Sequence, residues 1–265
     1  MNIAVILAGG VGNRMGATVP KQFMHVLGKP VIVYTLEVFE AHPDIDGIEV
    51  VLVQGYADKM HKYKEEYNLT KLKWIVQGGA NFQESVYNGV MSLEGYCTDD
   101  DIIMLAMSVC PLISDDIITD SLRVCGKYGN AVSADHSIYN FSTLRDGYWS
   151  DNYVLKEKHV TLNLPWTFYY SRLLWAYKKA YESGIGMDDH SYTTTLMIDL
   201  GEKLFFSKDS AANRLKLTTF DDVDMLEGYL LIQELREGNI ASTSRVRKHK
   251  DFTGSETVQS GNHTD

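Results

Sequence analysis

Cysteine is scarce in this chain, and its spacing follows no pairing pattern. The 265 residues include three cysteines, Cys97, Cys110 and Cys125, and none belongs to a Cys-x-x-Cys pair. An odd number at such wide spacing argues against a disulfide framework and against a zinc ribbon. We therefore expect a protein of a reducing compartment, the cytoplasm.

Long hydrophobic runs are also missing. No apolar stretch approaches the roughly 20 residues that a helix needs to cross a bilayer. The apolar segment near the N-terminus has no basic residues before it and runs directly into glycines. We therefore expect neither a secretory signal peptide nor a membrane partner.

Positive charge is in deficit. The chain has 25 Lys and Arg against 35 Asp and Glu, a formal net charge of -10. This balance argues against non-specific nucleic-acid binding, so any phosphate ligand needs a local cluster of cations. The hydrophobic share of 45% is that of an ordinary globular protein and excludes general disorder.

Short apolar runs alternate with helical patterns through the first half of the chain. We predict strands at residues 3–7, 48–53, 73–76 and 101–105, with helices between them at 30–41, 58–67 and 84–93. Strand, turn and helix recurring at this spacing indicate βαβ units. The fold class is therefore α/β, with a mostly parallel sheet covered by helices.

The pattern changes after about residue 130. Aromatic and β-branched residues surround Asp146-Gly147, a pair that favours a hairpin turn. Beyond it we predict helices at 171–181 and 220–237 and a strand at 203–207. The sequence after about residue 243 is polar and aperiodic, as linkers are. We expect one domain over residues 1–240, with a hairpin arm at about 136–158, and a flexible tail at 241–265.

The most informative stretch is LAGGVGNRMGATVPKQF, residues 7–23. A glycine-rich turn after a buried strand lets backbone N–H groups approach phosphates closely. Arg14 and Lys21 add positive charge beside that turn. Arginine can bind phosphate oxygens as a bidentate fork, whereas lysine acts as a point charge.

Three interpretations of this stretch compete. A Walker A loop is excluded, because no Gly-Lys-Ser/Thr follows the glycines. A dinucleotide site of an NAD-dependent oxidoreductase is disfavoured, because Met15 takes the third glycine position and no acid follows the second strand near Gln54. A glycine turn that serves only to reverse the chain is also disfavoured. It would not explain why two cations and Pro20 occur beside the turn.

The motif LAGGVGNRMG…PKQF, followed by GKPVIVYTLEVF, resembles the nucleotidyltransferases that make CDP-linked polyols. These are the methylerythritol-phosphate and ribitol-5-phosphate cytidylyltransferases. The resemblance continues at GGANFQESV, AMSVCPLIS, MDD and KLTT, and covers roughly residues 2–235. It implies a Rossmann-like sheet sandwiched by helices, of the nucleotide-diphospho-sugar transferase type. It also implies a homodimer joined through the hairpin arm.

The resemblance implies a role for each matching residue. The nucleotide-binding residues would be Ala8, Gly9, Gly10 and Gly12 around the CTP triphosphate, with Gly78, Gly79 and Ser85 at the cytosine. Arg14 and Lys21 would balance charge on the reacting phosphate, and Lys216 would help bind the polyol phosphate. Ser137 sits where the family places a threonine that contacts the substrate.

The implied activity is a CTP-dependent cytidylyltransferase. A polyol phosphate oxygen would attack the α-phosphorus of CTP and expel pyrophosphate. Because both reactants are anions, the catalyst must mainly neutralise charge and align the two groups. Mg²⁺ would bridge the phosphates and be held mainly by CTP, so we assign it no protein ligand.

Several positions depart from the family pattern. Met107 stands at the metal-binding aspartate position, and a thioether is a poor ligand for Mg²⁺. Cys110 and Phe82 replace two arginines, and Arg214 replaces an asparagine two residues before the late lysine. The Ser108-Val109 pair leans toward the ribitol-phosphate branch.

Two explanations of these departures remain open. In the first, the triphosphate and another acid hold the metal, with Asp135 and Asp188 as the candidates. In the second, the chain is a catalytically degenerate member of the family. Such a member would bind a nucleotide or a partner chain without efficient turnover.

Overall fold

The computed structural model of the protein describes residues 1–10, 19–186 and 191–238. The strands are β1 (Asn2–Ala8), β2 (His25–Val26), β3 (Lys29–Pro30), β4 (Gly47–Leu52), β5 (Leu72–Gln77), β6 (Ile102–Met107), β7 (Asn130–His136), β8 (Phe141–Ser142), β9 (Tyr153–Val154), β10 (Val160–Tyr169) and β11 (Phe206–Ser207). The helices are α1 (Val31–Ala41), α2 (Ala57–Glu66), α3 (Phe82–Ser92), α4 (Asp115–Tyr128), α5 (Tyr170–Ser183), α6 (Thr193–Asp199) and α7 (Phe220–Glu237).

One seven-stranded sheet forms the centre of the molecule, in the order β11-β7-β10-β6-β1-β4-β5. β1 pairs in parallel with β4 and β6, β4 pairs in parallel with β5, and β7 pairs in parallel with β11. β10 runs antiparallel to both of its neighbours, β6 and β7. The carboxyl ends of the parallel strands therefore meet at one edge of the sheet. This arrangement confirms the predicted mostly parallel α/β fold.

Helices cover both faces of the sheet, as strands that are apolar on both sides require. Along β1, Ile3 and Val5 pack into one core, whereas Ala4 and Ile6 pack into the other. The first core lies against α3 and α5, and the second lies against α1 and α4. The short side chains and backbone at the end of β1 are thereby held rigidly at the sheet edge.

Most predicted elements are confirmed with ends that shift by one or two residues. α7 has the predicted bounds, because Thr219 and Asp222 form a capping box at its start and Gly238, with φ 82°, ends it. The strand expected at residues 203–207 shrinks to β11. Sequence patterns missed α6 and β10; β10 contains Pro165, and its register with β7 shifts between Asn163 and Trp166.

The hairpin arm expected at residues 136–158 is present. β8 and β9 pair antiparallel, and a bridge between Arg145 and Trp149 closes the tip. Asp146 and Gly147 adopt φ values of 46° and 79°, as the tight turn predicted there requires. The arm carries exposed apolar side chains, of which Tyr148 is 93% accessible.

The described part of the chain ends just after α7. The domain limits of 1–240 and the flexible tail at 241–265 therefore stay predictions. Among the helices that the structure describes, none is both long and apolar enough to pass through a bilayer.

Candidate active site

A cleft of about 780 Å³ opens at the carboxyl ends of β1, β4, β5 and β6. Its walls come from the loops that follow these strands and from a segment near residue 216. Eight of the residues that the sequence predicted line it: Ala8, Gly9, Gly10, Lys21, Gly78, Gly79, Ser85 and Lys216. The sheet thus brings the glycine loop, the double glycine and the late lysine to one place.

The loops after β1 and β5 approach each other closely, and a side chain at Gly9 or Gly78 would be crowded. A Cβ atom added to Gly9 would lie 3.1 Å from Ser85 Oγ. One added to Gly78 would lie 3.1 Å from the same oxygen and 3.2 Å from the carbonyl oxygen of Leu52. Both glycines therefore serve a close backbone approach at the floor of the cleft.

The Ser85 hydroxyl fixes the double-glycine turn. Its Oγ atom accepts a hydrogen bond from the Gly79 N–H at 3.0 Å and donates to the Asn81 carbonyl oxygen at 2.8 Å. The Asn81 side chain in turn caps α3 by accepting from the Glu84 N–H at 2.9 Å. Ser85 thus has a positional role besides the base contact that the resemblance implies.

Gln22 is a site residue that sequence analysis did not single out. Its side chain is 1% exposed, and its Nε2 atom donates to the carbonyl oxygens of Ala8 at 2.8 Å and Gly10 at 2.9 Å. These bonds turn the carbonyls of the glycine segment inward. The glutamine of the PKQF motif was the signal in the sequence, because a buried side-chain amide needs hydrogen-bond partners within the protein.

The two lysines of the cleft are fixed to one structural unit. Lys21 Nζ donates to the Leu217 carbonyl oxygen at 2.8 Å, and the Leu217 N–H donates to the Val109 carbonyl oxygen at 3.0 Å. Burial raises the pKa of the Cys110 thiol to about 11, and the charges of Lys216 and Lys21 partly offset that rise. Both ammonium groups are therefore within electrostatic reach of the same point, beneath the end of β6.

An aromatic group replaces positive charge at one wall of the cleft. Phe82 stands where the family pattern has an arginine, and its ring lies 5.2 Å from that of Tyr192 and 6.0 Å from that of Trp166. Phe82 and Tyr192 both line the cleft. This wall offers apolar surface to a ligand rather than a charged donor.

Three candidate site residues from the sequence analysis, Gly12, Arg14 and Asp188, lie outside the described residues, as does Met15. Ser137 is described, but it does not line the cleft. It follows the end of β7, where its Oγ atom accepts from the Tyr139 N–H at 3.2 Å. Its contact with a substrate stays a prediction.

The side chains that the structure describes do not fit a metal ion bound by several carboxylates. Met107 lines the cleft at the end of β6, and Asp135 is engaged in an ion pair with Arg214. Across residues 1–10, 19–186 and 191–238, no three His, Cys, Asp or Glu side chains are grouped so that they could hold a metal. The role of Asp135 as a single protein ligand beside the triphosphate stays a prediction.

Known proteins match this chain over most of its length. The model of the family 2-C-methyl-D-erythritol 4-phosphate cytidylyltransferase matches residues 2–231. The ribitol-5-phosphate cytidylyltransferase of Lacticaseibacillus paracasei is 40% identical over 238 residues, which cover 89% of this chain and 100% of the relative. The 2-C-methyl-D-erythritol 4-phosphate cytidylyltransferase of Clostridium novyi is 29% identical over 232 residues, covering 86% of this chain and 96% of the relative.

Solved structures show the same fold. The 4-diphosphocytidyl-2C-methyl-D-erythritol synthase of Anaerococcus prevotii aligns with a TM-score of 0.73 at 19% identity, covering 87% of this chain and 98% of that one. The 2-C-methyl-D-erythritol 4-phosphate cytidylyltransferase of Francisella tularensis gives 0.71 at 19% identity, covering 86% and 99%. The family-model match over residues 2–231, together with the 40% identity to the Lacticaseibacillus relative, establishes that the chain belongs to the 2-C-methyl-D-erythritol 4-phosphate cytidylyltransferase family.

Proposed function

We propose that this protein transfers CMP from CTP to a polyol phosphate and releases pyrophosphate. One observation carries the proposal: Lys21 and Lys216 line the same cleft as the glycine segment after β1 and the double glycine after β5. The backbone of the glycine segment is suited to phosphates, and the lysines supply the charge that two anionic reactants require. The cleft is also the place where α/β sheets of this kind bind ligands.

The reaction needs no covalent intermediate with the protein. An oxygen of the acceptor phosphate forms a bond to the α-phosphorus of CTP, and the bond from that phosphorus to the bridging oxygen of the β-phosphate breaks. Lys21 would offset charge on the reacting phosphate, and Lys216 would offset charge on the acceptor. Because Lys21 also bonds the segment that carries Lys216, the two reactants are aligned by one rigid unit.

We propose ribitol 5-phosphate as the preferred acceptor. The support is the 40% identity to a relative that is named as a ribitol-5-phosphate cytidylyltransferase and that aligns over its full length. The relative named for methylerythritol phosphate is 29% identical. Ser108 and Val109, which line the cleft, favour the same branch.

Purified protein with CTP, Mg²⁺ and one acceptor at a time tests this assignment through pyrophosphate release. Ribitol 5-phosphate, methylerythritol 4-phosphate and glycerol 3-phosphate form the acceptor panel, and UTP replaces CTP in a parallel series. We expect release with ribitol 5-phosphate and CTP, and a CDP-linked product by mass spectrometry. Lys216→Ala should raise the KM of the acceptor, whereas Lys178→Ala, a matched change at an exposed ion pair with Glu94, should not. Calorimetric CTP binding without release for any acceptor would contradict the proposal.

The degenerate alternative has no support from the comparisons. Relatives that align over most of this chain are named as cytidylyltransferases. Met107 by itself removes one carboxylate from the cleft, but it leaves the two lysines and the glycine segment in place. We therefore infer an active enzyme.

We further propose that Mg²⁺ accompanies the CTP phosphates rather than occupying a carboxylate site of the protein. Met107→Asp tests this idea, because it adds an oxygen ligand at the end of β6. The variant should reach half-maximal activity at a lower Mg²⁺ concentration than the unaltered protein, with Met107→Asn as the uncharged control. An unchanged Mg²⁺ dependence would mean that the ion does not approach this position.

We also propose a homodimer joined through the hairpin arm. Its exposed apolar side chains include Ile138 (69%), Leu144 (71%) and Tyr153 (71%), and exposed apolar surface of this kind marks protein–protein contacts. Light scattering should give twice the chain mass at micromolar concentration. Leu144→Glu should shift the protein toward the monomer, and a monomeric mass for the unaltered chain would overturn the proposal.

A further inference from the structure

A second group of polar side chains lies at the same sheet edge as the cleft, beyond β6. β6 and β7 both run antiparallel to β10, so their carboxyl ends share that edge. Asp135 is near the end of β7, and its carboxylate forms an ion pair with Arg214. Arg214 lies two residues before Lys216, which lines the cleft.

Arg214 also pairs with a second carboxylate, that of Asp209, which is buried from solvent. The Asp209 side chain is 0% exposed and lies 3.4 Å from Arg214 Nε. Asp209 also accepts hydrogen bonds from Asn163 Nδ2 and Asn213 Nδ2, each at 2.7 Å. The guanidinium is thus fixed in position, while its own side chain is 22% exposed.

The segment after Arg214 alternates between core and cleft. Leu215 packs against a hydrophobic cluster of which Leu217 is a fully buried member. Lys216, which lies between them, therefore projects away from that cluster, and Arg214 ends a short 3-10 turn just before Leu215. Lys216 lines the cleft, and Arg214 reaches the end of β7. The Asp135–Arg214 pair is thus joined to Lys216 through one intervening residue, Leu215.

The charge of the pair decides what it can recognise. Two carboxylates, Asp135 and Asp209, surround one guanidinium, so the group as a whole is not a cation that would attract a phosphate. The Asp135 side chain is 46% exposed and still presents carboxylate lone pairs to solvent. A carboxylate held rigid in this way suits hydroxyl groups, to which it offers strong charge-assisted acceptors.

We propose that Asp135 accepts hydrogen bonds from the hydroxyl groups of the polyol acceptor, while Lys216 binds its phosphate. Arg214 is a positioning residue, because it fixes Asp135 and is itself fixed by Asp209. This inference rests on the proposed cytidylyltransferase function. It adds Asp135 as the residue that recognises the hydroxyl groups of the acceptor. The sequence carries part of the signal, since Arg214 stands where the family has asparagine.

Steady-state kinetics on the full chain test the role of Asp135. Asp135→Ala should raise the KM of ribitol 5-phosphate at least tenfold and leave the KM of CTP within twofold. Inorganic phosphate, as a competitive inhibitor that lacks hydroxyls on carbon, should keep its inhibition constant in the same variant. An unchanged acceptor KM, or equal rises in the KM values of acceptor and CTP, would overturn the proposal.

The positioning role of Arg214 needs its own readout. Arg214→Gln should raise the acceptor KM in the same way, and Arg214→Lys, which retains one donor to Asp135, should recover part of the loss. Arg172→Gln is the matched control, because this exposed arginine of α5 pairs with Glu202, and α5 begins at the opposite edge of the sheet. Equal losses in the Gln and Lys variants, or a loss in Arg172→Gln, would contradict the assignment.

A binding measurement separates this inference from the proposed function. Calorimetry compares ribitol 5-phosphate binding to the unaltered protein and to Asp135→Ala in the presence of CTP and Ca²⁺. If the unaltered protein releases pyrophosphate but Asp135→Ala binds the acceptor equally well, only the present inference fails. If the unaltered protein neither turns over nor binds the acceptor, both proposals fail.

Discussion

Lys21 Nζ donates a hydrogen bond to the carbonyl oxygen of Leu217 at 2.8 Å, across 196 positions of the sequence. The contact joins the residue that ends the glycine loop to the segment that carries Lys216. In the proposed function, Lys21 serves the nucleotide phosphates and Lys216 serves the acceptor. The position of each charge therefore depends on the other.

This coupling predicts a large effect of Lys21→Met, which keeps the length of the stem but removes the ammonium group. We expect kcat to fall about 10²- to 10³-fold, the range for removing one charge-stabilising donor. Lys21→Arg should recover only part of this, because the guanidinium differs in shape from an ammonium group. Pyrophosphate release gives kcat, and Lys178→Met serves as the control at an exposed lysine. A kcat within threefold of the unaltered protein would exclude a role of Lys21 in charge stabilisation.

Local patterns predicted the sheet well because each strand and helix carries its own signal. The apolar run of β1 and the Thr219–Gly238 limits of α7 are encoded by residues within the element itself. β10 was missed because its pairing is set by β6 and β7, which lie far away in sequence. Its proline and register shift obscure the strand pattern from within.

The site was predictable only where its residues lie together in one stretch of sequence. Gly9 and Lys21 lie on one motif that a single stretch of sequence reveals. The contact of Ser85 with both glycine loops, and the pairing of Asp135 with Arg214, depend on elements meeting at the sheet edge. Arg214 could be recognised as a departure from the family pattern, but its partner required the fold.

Gly78 and Gly10 form a matched pair for testing the close approach at the floor of the cleft. An added Cβ on Gly78 meets the Leu52 carbonyl oxygen at 3.2 Å, whereas one on Gly10 meets no atom of the described residues within 4 Å. Gly78→Ala should lower the free energy of unfolding by about 1–3 kcal/mol and raise the KM of CTP, because the loops must move apart. Gly10→Ala should stay within about 0.5 kcal/mol in urea unfolding. Equal stabilities of the two variants would contradict the packing argument.

We predict that the buried amide of Gln22 supports both the stability of the fold and the binding of the nucleotide. Gln22→Met has similar length but no donor, so it leaves the Ala8 and Gly10 carbonyl oxygens without this partner. The free energy of unfolding should fall by about 1–3 kcal/mol, and the KM of CTP should rise as the glycine segment loosens. Gln233→Met on α7 provides a control away from the nucleotide cleft. A stable variant with normal CTP affinity would show that these bonds do not order the segment.

Glu49 is a buried acid in the middle of β4, remote from the proposed chemistry. Its side chain is 0% exposed, and burial raises its pKa to about 8, against an ordinary value of 4.5. Ser92 Oγ lies 2.6 Å from Glu49 Oε2 and 2.7 Å from the Gly89 carbonyl oxygen. A hydroxyl has one proton, so both contacts are satisfied together only when the Glu49 carboxyl is protonated and donates to Ser92.

This acid predicts that the protein loses stability as pH rises. The folded state keeps the Glu49 proton up to about pH 8, whereas the unfolded chain releases it near pH 4.5. The protonated carboxyl therefore contributes its full stabilisation of the folded state below pH 4.5, and this stabilisation is lost above pH 8. The free energy of unfolding should therefore fall by up to ~1.4 kcal/mol per pH unit between these limits. Glu49→Gln, whose amide can donate to Ser92, should remove this slope in urea unfolding, and Glu227→Gln at an exposed position of α7 should retain it. Parallel pH profiles for Glu49→Gln and the unaltered protein would mean that Glu49 is ionised in the folded state, against the hydrogen-bond geometry around Ser92.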